Sequence, residues 1–426
     1  MMQPPIFNES KNGSDSRQNG TLSADGHPGA VPDVRVAVGR PGRHLALYPG
    51  RMGYDLQEEL DFLTYRAMEP NVFFAARFLA PAIPRLEERQ IRIAIIRDEV
   101  GARSRMRLLM PFSTEKPGFS VGPSIIRAWA NHFGPLGTPL VDAEDAAETI
   151  DNLFDGLASP EAKLPGILVL PNLRVNGPFA KLARALALSR DLPVTITNPT
   201  ERPMLQSDED GNTYLRNSIS RGHLKDIRRQ HRLLAQKGEL AYNVARQPEE
   251  VRLRMEEFLS IEAKGWKGKK RTALLNDRYR AAFAREAVSN LAEVDAVRIH
   301  TLDLDGKAIA SIIVFIMAGE AYTWKTTFDE DYARFSPGKL LAADLTDWHL
   351  DDANIVRTDS STDAEDTVLH RMWREREEMA TVVIGLNRNS DRDVRQVATQ
   401  LHLYRNTRNL ARMLRDKILS RRFGDR

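Results

Sequence analysis

Three groups of residues that could do chemistry lie close together in this chain. Lys325 stands in the middle of a predicted strand, the run Ser-Pro-Gly-Lys at 336–339 begins a predicted helix, and Asp359 ends the next predicted strand. The first N–H groups of a helix lack internal partners and lie at the positive end of its dipole, so the run at 336–339 could bind an anion. Alternatively, Ser336 as N-cap and Pro337 at the first helical position form an ordinary helix start.

The two ionisable candidates each have two interpretations. A lysine inside a strand must pair with an anion or lie at a cleft, so Lys325 contacts substrate or belongs to a buried ion pair. Strict alternation over 320–328 predicts Tyr322 and Trp324 on one face of the strand, with Phe328, and Lys325 on the other. Asp359 could position an amine or act as a base, or it could be a turn residue that caps the next helix.

Composition excludes several kinds of site. The 426 residues are 42% apolar and 28% charged, which is globular composition, and the absence of cysteine excludes a thiolate nucleophile, a disulfide framework and any Cys-ligated metal. Nothing in the sequence predicts a metal site. The net charge is only +3, from 61 basic and 58 acidic residues, so any basic partner surface must be local. The start of the chain lacks signal-peptide features and no apolar stretch has spanning length, so we expect a cytoplasmic protein.

A long internal repeat predicts two lobes of one architecture. The pattern helix, helix, strand, strand runs through 56–112 and again through 251–317, and the strands that begin at 91 and 297 are 206 residues apart (297 − 91). The second copy continues with a strand at 320–328, a helix from 336 to 350, a strand at 354–358 and a helix from about 366. The first copy has residues 129–137 in place of the loop at 336–339, so a ligand loop belongs to the second lobe.

These patterns predict four segments. Gly, Pro, Ser, Asn and Asp supply 18 of the first 34 residues, which predicts a disordered tail at 1–34. The lobes are predicted at 35–205 and 206–390, with a Pro- and Gly-punctuated joint between them. Residues 391–426 hold ten Arg or Lys against four Asp and predict a basic helix. Its imperfect apolar stripe could pack across a lobe or make peripheral contact with an anionic membrane surface.

The chain resembles the GNAT-type acyltransferases, in the branch related to the cellulose-biosynthesis CelD protein and the Fem peptidoglycan aminoacyl transferases. The resemblance covers roughly 45–390. Its second-lobe features are a basic helix at 221–232, Trp266, Phe-Asp at 328–329 and Ser-Pro-Gly-Lys-Leu-Leu at 336–341, and segments 69–74 and 137–140 of the first lobe are also similar. The implied fold is mixed α/β, with two tandem GNAT-like lobes, each a mixed and mostly antiparallel sheet flanked by helices.

The resemblance implies an acyl donor, usually acetyl-CoA or another acyl-CoA, whose pyrophosphate lies on the helix start, and no metal. The cofactor-binding candidates are then Arg334, Ser336, Gly338, Lys339 and Leu340. The loop departs from the usual GNAT pattern, because its glycine falls four residues after Arg334 and position 340 is Leu. The catalytic candidates are Lys325 and Asp359, and the substrate-binding candidates are Trp266, Tyr322, Trp324 and Arg371. The last stands near Trp373, where relatives often have a lysine.

The predicted activity is transfer of an acetyl or other acyl group to an amine or hydroxyl of a small molecule or glycan, in polysaccharide or cell-envelope metabolism. The first lobe would be a degenerate copy that lines the acceptor cleft. Two alternatives stay open: a Fem-type transferase using aminoacyl-tRNA, and a non-catalytic accessory protein. Nucleic acid is expected only in the tRNA alternative, because the basic helix at 221–237 is more typical of a solvated face, with His231 on its apolar stripe.

Overall fold

The computed structural model describes residues 31–87, 89–101, 103–362 and 367–423, with side chains through residue 411. Its first half contains eight strands among these residues: β1 Val34–Ala37, β2 Arg43–Pro49, β3 Ile91–Val100, β4 Arg103–Glu115, β5 Ile125–Ala128, β6 Leu140–Val141, β7 Ile167–Arg174 and β8 Val194–Leu205. The α-helices of this half are α1 Gln57–Arg66, α2 Ala76–Leu86, α3 Ala146–Ala158 and α4 Pro178–Ser189.

The second half of the chain contains a similar order of helices and strands. Its helices are α5 Gly211–Ser218, α6 Arg221–Ala235, α7 Pro248–Lys264, α8 Trp266–Lys269, α9 Arg278–Ala292, α10 Pro337–Asp351, α11 Val368–Met372 and α12 Asp391–Phe423. Its strands are β9 Leu240–Ala245, β10 Val297–Leu304, β11 Lys307–Met317, β12 Glu320–Phe328, β13 Arg357–Asp359 and β14 Glu375–Gly385.

Local sequence explains why these elements begin and end where they do. Helix α7 begins at Pro248, has two glutamates in its first turn, and ends before Gly265, as expected for a helix with favourable charges at its start. The turns between β10, β11 and β12 contain Gly306 and Gly319 at φ of 75° and 79°, values that a two-residue hairpin turn needs and glycine adopts without steric cost.

The predicted repeat is confirmed. Helices α1 and α2 precede β3 and β4, and α7 and α9 precede β10 and β11, with β3 starting at Ile91 and β10 at Val297. The helix expected from about residue 366 corresponds to α11, which begins at Val368 after the N-cap residue Thr367. Residues 363–366 lie outside the described residues. Most of the predicted disordered tail, residues 1–30, also lies outside the described residues.

All of these strands form one mixed sheet. The order is β1-β2-β3-β4-β5-β7-β14-β8-β13-β12-β11-β10-β9, with β6 paired to β4. The order has approximate two-fold symmetry, because β5 and β7 pair in parallel as β12 and β13 do. The last strand of each half is exchanged: β14 pairs with β7 of the first lobe and β8 pairs with β13 of the second. The two lobes are therefore joined by strand exchange at the centre of the sheet.

Helices cover both faces of this sheet. Helices α1, α2, α7 and α9 share one hydrophobic core with strands of both lobes, and α2 packs against α9 across the boundary between the lobes. On the opposite face, α3 and α4 cover the first lobe, and α6 and α10 cover the second. The start of α12 packs near the centre of the sheet on the same face as α1 and α2, because its partners Val169 and Val383 alternate along β7 and β14 with residues of the α3 and α4 core. Because helices that begin each repeat meet at the centre, a first-lobe loop can reach the second lobe's sheet.

The feature that shapes the site is a split between two neighbouring strands. Strands β12 and β13 pair only over three residues, from Glu320 with Arg357 to Tyr322 with Asp359. Beyond Tyr322, β12 continues to Phe328 paired with β11 alone among the described strands. The split leaves one edge of residues 323–328 open.

Of the helices in the described part of the chain, none combines the length and the apolar character needed to cross a membrane.

Candidate functional site

A cavity of about 650 Å³ lies at the split between β12 and β13. Most of its lining comes from residues 323–328 of β12, the start of α10 at 336–339, the segments 360–362 and 367–369 around β13 and α11, and residues 262 and 265–267 at the end of α7 and start of α8. His132 from the first lobe and Ile312, Ala333 and Ala342 complete it. Both faces of the sheet and both lobes therefore contribute to one site.

The start of α10 is open to a ligand. Ser336 has φ 53° and ψ 50° and makes no side-chain cap hydrogen bond, although it occupies the N-cap position. The N–H groups of Lys339 and Leu340 both donate to the Ser336 carbonyl, at 2.9 and 3.2 Å. No described residue accepts a hydrogen bond from the N–H of Gly338, so this donor and the positive end of the helix dipole face the cavity.

Gly338 is not required by the fold of the described residues. A Cβ built at this position would meet only Cδ1 of Phe328, at 3.6 Å, which is ordinary contact. Its backbone has no positive φ that would favour glycine. A glycine whose missing side chain leaves space at a helix start permits close approach of a ligand to the backbone.

Helix α6 runs beside this loop. Nζ of Lys339 lies 3.3 Å from Oδ2 of Asp226, and Nη2 of Arg229 donates to Oδ1 of the same carboxylate at 2.8 Å. Three further arginines of α6, Arg221, Arg228 and Arg232, are exposed. A basic surface therefore continues outward from the start of α10.

A β-bulge on β12 decides which way its side chains point, and it overturns the predicted alternation. Ile313 pairs with Lys325 and Val314 with Thr323, so Trp324 is the extra residue. Lys325 therefore shares the α7 and α9 face with Trp324, whereas Phe328 lies on the α10 face, packed in the core of that side. The prediction that Lys325 and Trp324 lie on opposite faces of the strand is therefore wrong. The prediction that Phe328 shares a face with Trp324 is also wrong.

Lys325 is a partly buried cation in the cavity. Its Nζ lies 4.5 Å from the ring centroid of Phe133 and 5.6 Å from that of Trp324, and no described carboxylate lies within 4.0 Å of it. Burial lowers its pKa to about 8, the charges of Lys267 and Arg280 act in the same direction, and Glu262 opposes them. The buried ion pair that was one interpretation of Lys325 is therefore absent among the described residues.

The remaining lining on this face is aromatic and polar. Trp324 is buried and donates from Nε1 to the Phe133 carbonyl at 2.8 Å. Trp266 is 47% exposed, with Nζ of Lys270 5.1 Å from its ring. Burial, followed by the charges of Lys325 and Arg280, lowers the pKa of His132 to about 4. His132 is therefore neutral at pH 7.

Two predicted site residues lie beneath the cavity in a buried ion-pair network. The Asp359 carboxylate lies 3.3 Å from Nη2 of Arg174 and 3.5 Å from Nη1 of Arg202. Burial alone would raise the pKa of Asp359, but Arg202 and Arg174 outweigh it and hold that pKa below its usual value. The Tyr322 hydroxyl donates to Oε2 of Glu320 at 2.7 Å. Neither Asp359 nor Tyr322 lines the cavity, so we assign Asp359 no role as base and Tyr322 no substrate contact.

The other predicted residues divide in the same way. Ser336, Gly338, Lys339, Trp266, Trp324 and Lys325 all line the cavity. Leu340 is buried in the core beneath α10, Arg334 is exposed over the ring of Phe335, and Arg371 is exposed on α11. None of these last three lines the cavity.

Three ionisable lining residues were not among the predicted site residues: His132, Glu262 and Lys267. Nζ of Lys267 donates to Oε1 of Glu262 and to the Thr326 carbonyl, both at 2.9 Å, and the N–H of Leu274 donates to Oε2 of Glu262 at 2.8 Å. Both oxygens of Glu262 are therefore engaged. Their proximity to Trp266 in the sequence is the one signal that could have indicated Glu262 and Lys267.

The corresponding helix start in the first lobe is already filled by side chains. Asp145 precedes α3 with φ 60°, a left-handed conformation like that of Ser336 before α10. Nη2 of Arg40 donates to Oδ2 of Asp145 at 3.0 Å and lies 2.9 Å from Oδ2 of Asp98. Carboxylates at this helix start would repel an anionic donor, so the geometry favours a donor site in the second lobe.

The comparisons with known proteins agree with this fold. A family model described as an acetyltransferase (GNAT) domain matches residues 221–366, which contain most of the cavity lining. The C-terminal domain of a putative lysylphosphatidylglycerol synthetase from Agrobacterium fabrum is 13% identical, with a TM-score of 0.50 over 82% of this chain and 96% of that one. FemX is 10% identical, with a TM-score of 0.50 over 76% and 95%. A search of curated proteins found no match.

The predicted mixed α/β fold class is confirmed, with one large mixed sheet flanked by helices, and the matched GNAT domain lies in the second lobe. At 10% to 13% identity the two solved structures show the fold and nothing about the substrate.

Proposed function

We propose that the second lobe transfers an acyl group, in the first place acetyl from acetyl-CoA, to an amine or hydroxyl acceptor. The observation that carries this proposal is that one cavity connects the unpaired edge of β12 to the uncapped start of α10. An extended donor can lie along the open strand edge with its phosphates at the helix start. A small molecule or a glycan of polysaccharide or cell-envelope metabolism remains the proposed acceptor, and the relation to CelD-type proteins remains a prediction.

The residues at the start of α10 fit the donor. The N–H of Gly338 is available, no side chain fills the space above it, and the Lys339 ammonium lies beside it, bound to Asp226 at the surface. These groups would hold a pyrophosphate, while Ser336 keeps the helix uncapped. Bound acetyl-CoA supplies a thioester carbonyl that is open to attack.

The protein's own contribution to the chemistry is positioning and charge. With a pKa near 8, Lys325 is mostly protonated at neutral pH, so we assign it the role of a cation and not of a proton acceptor. Glu262 has both oxygens bound and is a poor base. The neutral acceptor forms its new bond to the acyl carbon as the carbon–sulfur bond breaks, and the acceptor's proton passes to solvent. The protein accelerates this step by holding the two reactants together and by stabilising the negative charge that develops in the transition state.

The test combines binding and turnover. Calorimetric titration with acetyl-CoA should give micromolar binding, and free CoA should appear when an acceptor is present. Absence of acetyl-CoA binding, or binding that is unchanged when a carboxylate is placed at position 338, would contradict the proposal.

One observation favours a second candidate, the aminoacyl-tRNA-dependent transferase. The exposed arginines of α6 lie on the helix that contacts the start of α10 through Asp226 and Lys339. If RNA delivers the donor, tRNA should bind with a strong salt dependence that falls when Arg228 and Arg232 are replaced by glutamine. RNA binding without CoA binding would transfer the assignment to this candidate.

A further inference from the structure

The ring of Phe133 contacts two cations on the α7 and α9 face, Lys325 of the cavity lining and Arg280 of α9, which does not itself line the cavity. Nζ of Lys325 lies 4.5 Å from the ring centroid, and Cζ of Arg280 lies 5.8 Å from it. Phe133 comes from the first lobe and is held there because its carbonyl accepts the Trp324 indole N–H. A residue of the first lobe, Phe133, therefore contacts the cation on the second lobe's strand β12.

The charges on this side of the cavity do not balance. Lys267 is paired with Glu262 at 2.9 Å. Among the described residues, Arg280 has one carboxylate within 4.0 Å, that of the partly exposed Asp277 at 3.6 Å, a separation and exposure at which an ion pair contributes little. Lys325 has ring contacts but no carboxylate within 4.0 Å among the described residues. An ammonium in this position has lost hydration and faces two like charges, and ring contacts offset only part of that cost.

We infer that the acceptor carries an anionic group, a carboxylate or a phosphate, which binds at Lys325, on the side of the cavity where Arg280 also approaches the Phe133 ring. This inference rests on the proposed function, since it names the class of acceptor for the same site. A cation that the fold leaves without a counter-ion at a cavity is compensated when the ligand supplies the charge. The acceptor is thus an amine or hydroxyl compound with an acidic group near the nucleophile.

The position of Lys325 assigns this anion to the acceptor and not to the donor. The bulge at Trp324 turns Lys325 to the α7 and α9 face, whereas α10, with its open helix start, covers the opposite face. Donor phosphates at Gly338 are therefore on the other side of the sheet from Lys325. The two anions of the reaction have separate binding groups.

The binding test uses sulfate, which keeps its charge between pH 6 and 9, with chloride at matched ionic strength as reference. Trp324 and Trp266 line the cavity, so their fluorescence reports binding. Lys325→Met should weaken sulfate binding at least tenfold and Arg280→Gln about three- to tenfold. Arg278→Gln is the matched control, because Arg278 belongs to the same helix but contacts Tyr279 outside the cavity, and it should change nothing.

Two features of the titration distinguish sulfate bound at Lys325 from sulfate bound elsewhere on the protein. Binding retained in Gly338→Asp but lost in Lys325→Met places the anion on the acceptor side. Binding should also weaken as pH rises above about 8, because Lys325, whose pKa is about 8, loses its proton there. The other charged or titratable groups that face Lys325 are Lys267, Arg280, Glu262 and His132, and His132 is already neutral above its pKa of about 4. Sulfate binding equal to chloride, or unaffected by Lys325→Met and Arg280→Gln, would overturn the inference.

The turnover test uses paired acceptors that differ only in the acid group: glucosamine 6-phosphate with glucosamine, and lysine with cadaverine. We expect the acidic member of a pair to have at least a tenfold higher kcat/KM, and Arg280→Gln to remove most of this preference. Preference for the members without an acid group would refute an anionic acceptor while leaving acyl transfer intact. Sulfate binding at Lys325 without acetyl-CoA binding would support the anion site and contradict the proposed function.

Discussion

Gly338 offers a sharp test of the donor site, because its side-chain space is unused by the fold. Replacing it with alanine adds a methyl group 3.6 Å from the Phe328 ring, an ordinary contact. Alanine is the better helix former by up to about 1 kcal/mol, and aspartate in a first helical turn is favourable by about 0.3–1 kcal/mol. Neither Gly338→Ala nor Gly338→Asp should therefore lower the melting temperature.

Both Gly338 substitutions should weaken acetyl-CoA binding even though they do not weaken the fold. Two like charges about 5 Å apart at an effective dielectric constant of about 20 repel by about 3 kcal/mol. Allowing for screening by solvent leaves about 2 kcal/mol, which corresponds to about a 30-fold loss of affinity for acetyl-CoA in Gly338→Asp. Gly338→Ala should lose about tenfold, through blocked approach alone. Calorimetry on the purified variants measures both values.

A matched control is available on the neighbouring helix. Gly222 is the second residue of α6, as Gly338 is of α10, and a Cβ there would meet only Oγ of Ser220, at 3.9 Å. Gly222 does not line the cavity, so Gly222→Asp adds the same charge to an equivalent helix position outside the site. Equal affinity losses in Gly222→Asp and Gly338→Asp, or none in either, would refute the donor-site assignment.

Three further predictions concern charged groups in and beneath the cavity. Lys325→Met should raise the free energy of unfolding by about 1–2 kcal/mol at pH 7 while lowering acyl transfer, because a poorly compensated cation is removed; a urea series that shows destabilisation would contradict this. Asp359→Asn should cost about 3–5 kcal/mol, because it leaves Arg174 and Arg202 without their carboxylate. Since the folded pKa of Asp359 is lowered, the difference between wild type and variant should shrink only as pH falls below about 4. His132 has a folded pKa of about 4 against about 6.5 unfolded, so it costs stability as pH falls from 6.5 to 4, and His132→Gln should flatten that part of the stability profile.

Local sequence features were sufficient for much of the fold. The strand at 320–328 has the predicted bounds, and β3 and β10 begin at the predicted residues 91 and 297, because caps, turn residues and hydrophobic period act within one element. The run at 336–339 was identified as a helix start for the same reason. The repeated order of helices and strands is sufficient to predict two lobes from the sequence alone.

Pairing between elements decided what local rules could not. Alternation failed on β12 because the bulge depends on how β11 meets it, and one extra residue moves every later side chain to the other face. In the helix at 221–235 the predicted buried face differs slightly from the observed one. Its buried positions are Ile227, Gln230 and Leu234, so His231 is exposed and not in the predicted stripe.

The chemistry of the candidate site was divided in the same way. The sequence alone identified a lysine inside a strand and a glycine at a helix start, since both are unusual for their local element. Only the tertiary structure decided that Asp359 is neutralised by Arg174 and Arg202, 185 and 157 residues away in the chain. It also decided that His132 of the first lobe lines the second lobe's cavity and that the neighbouring Phe133 ring contacts Lys325. Electrostatic environment depends on distance in space, and strand exchange sets those distances between segments with no local signal that they meet.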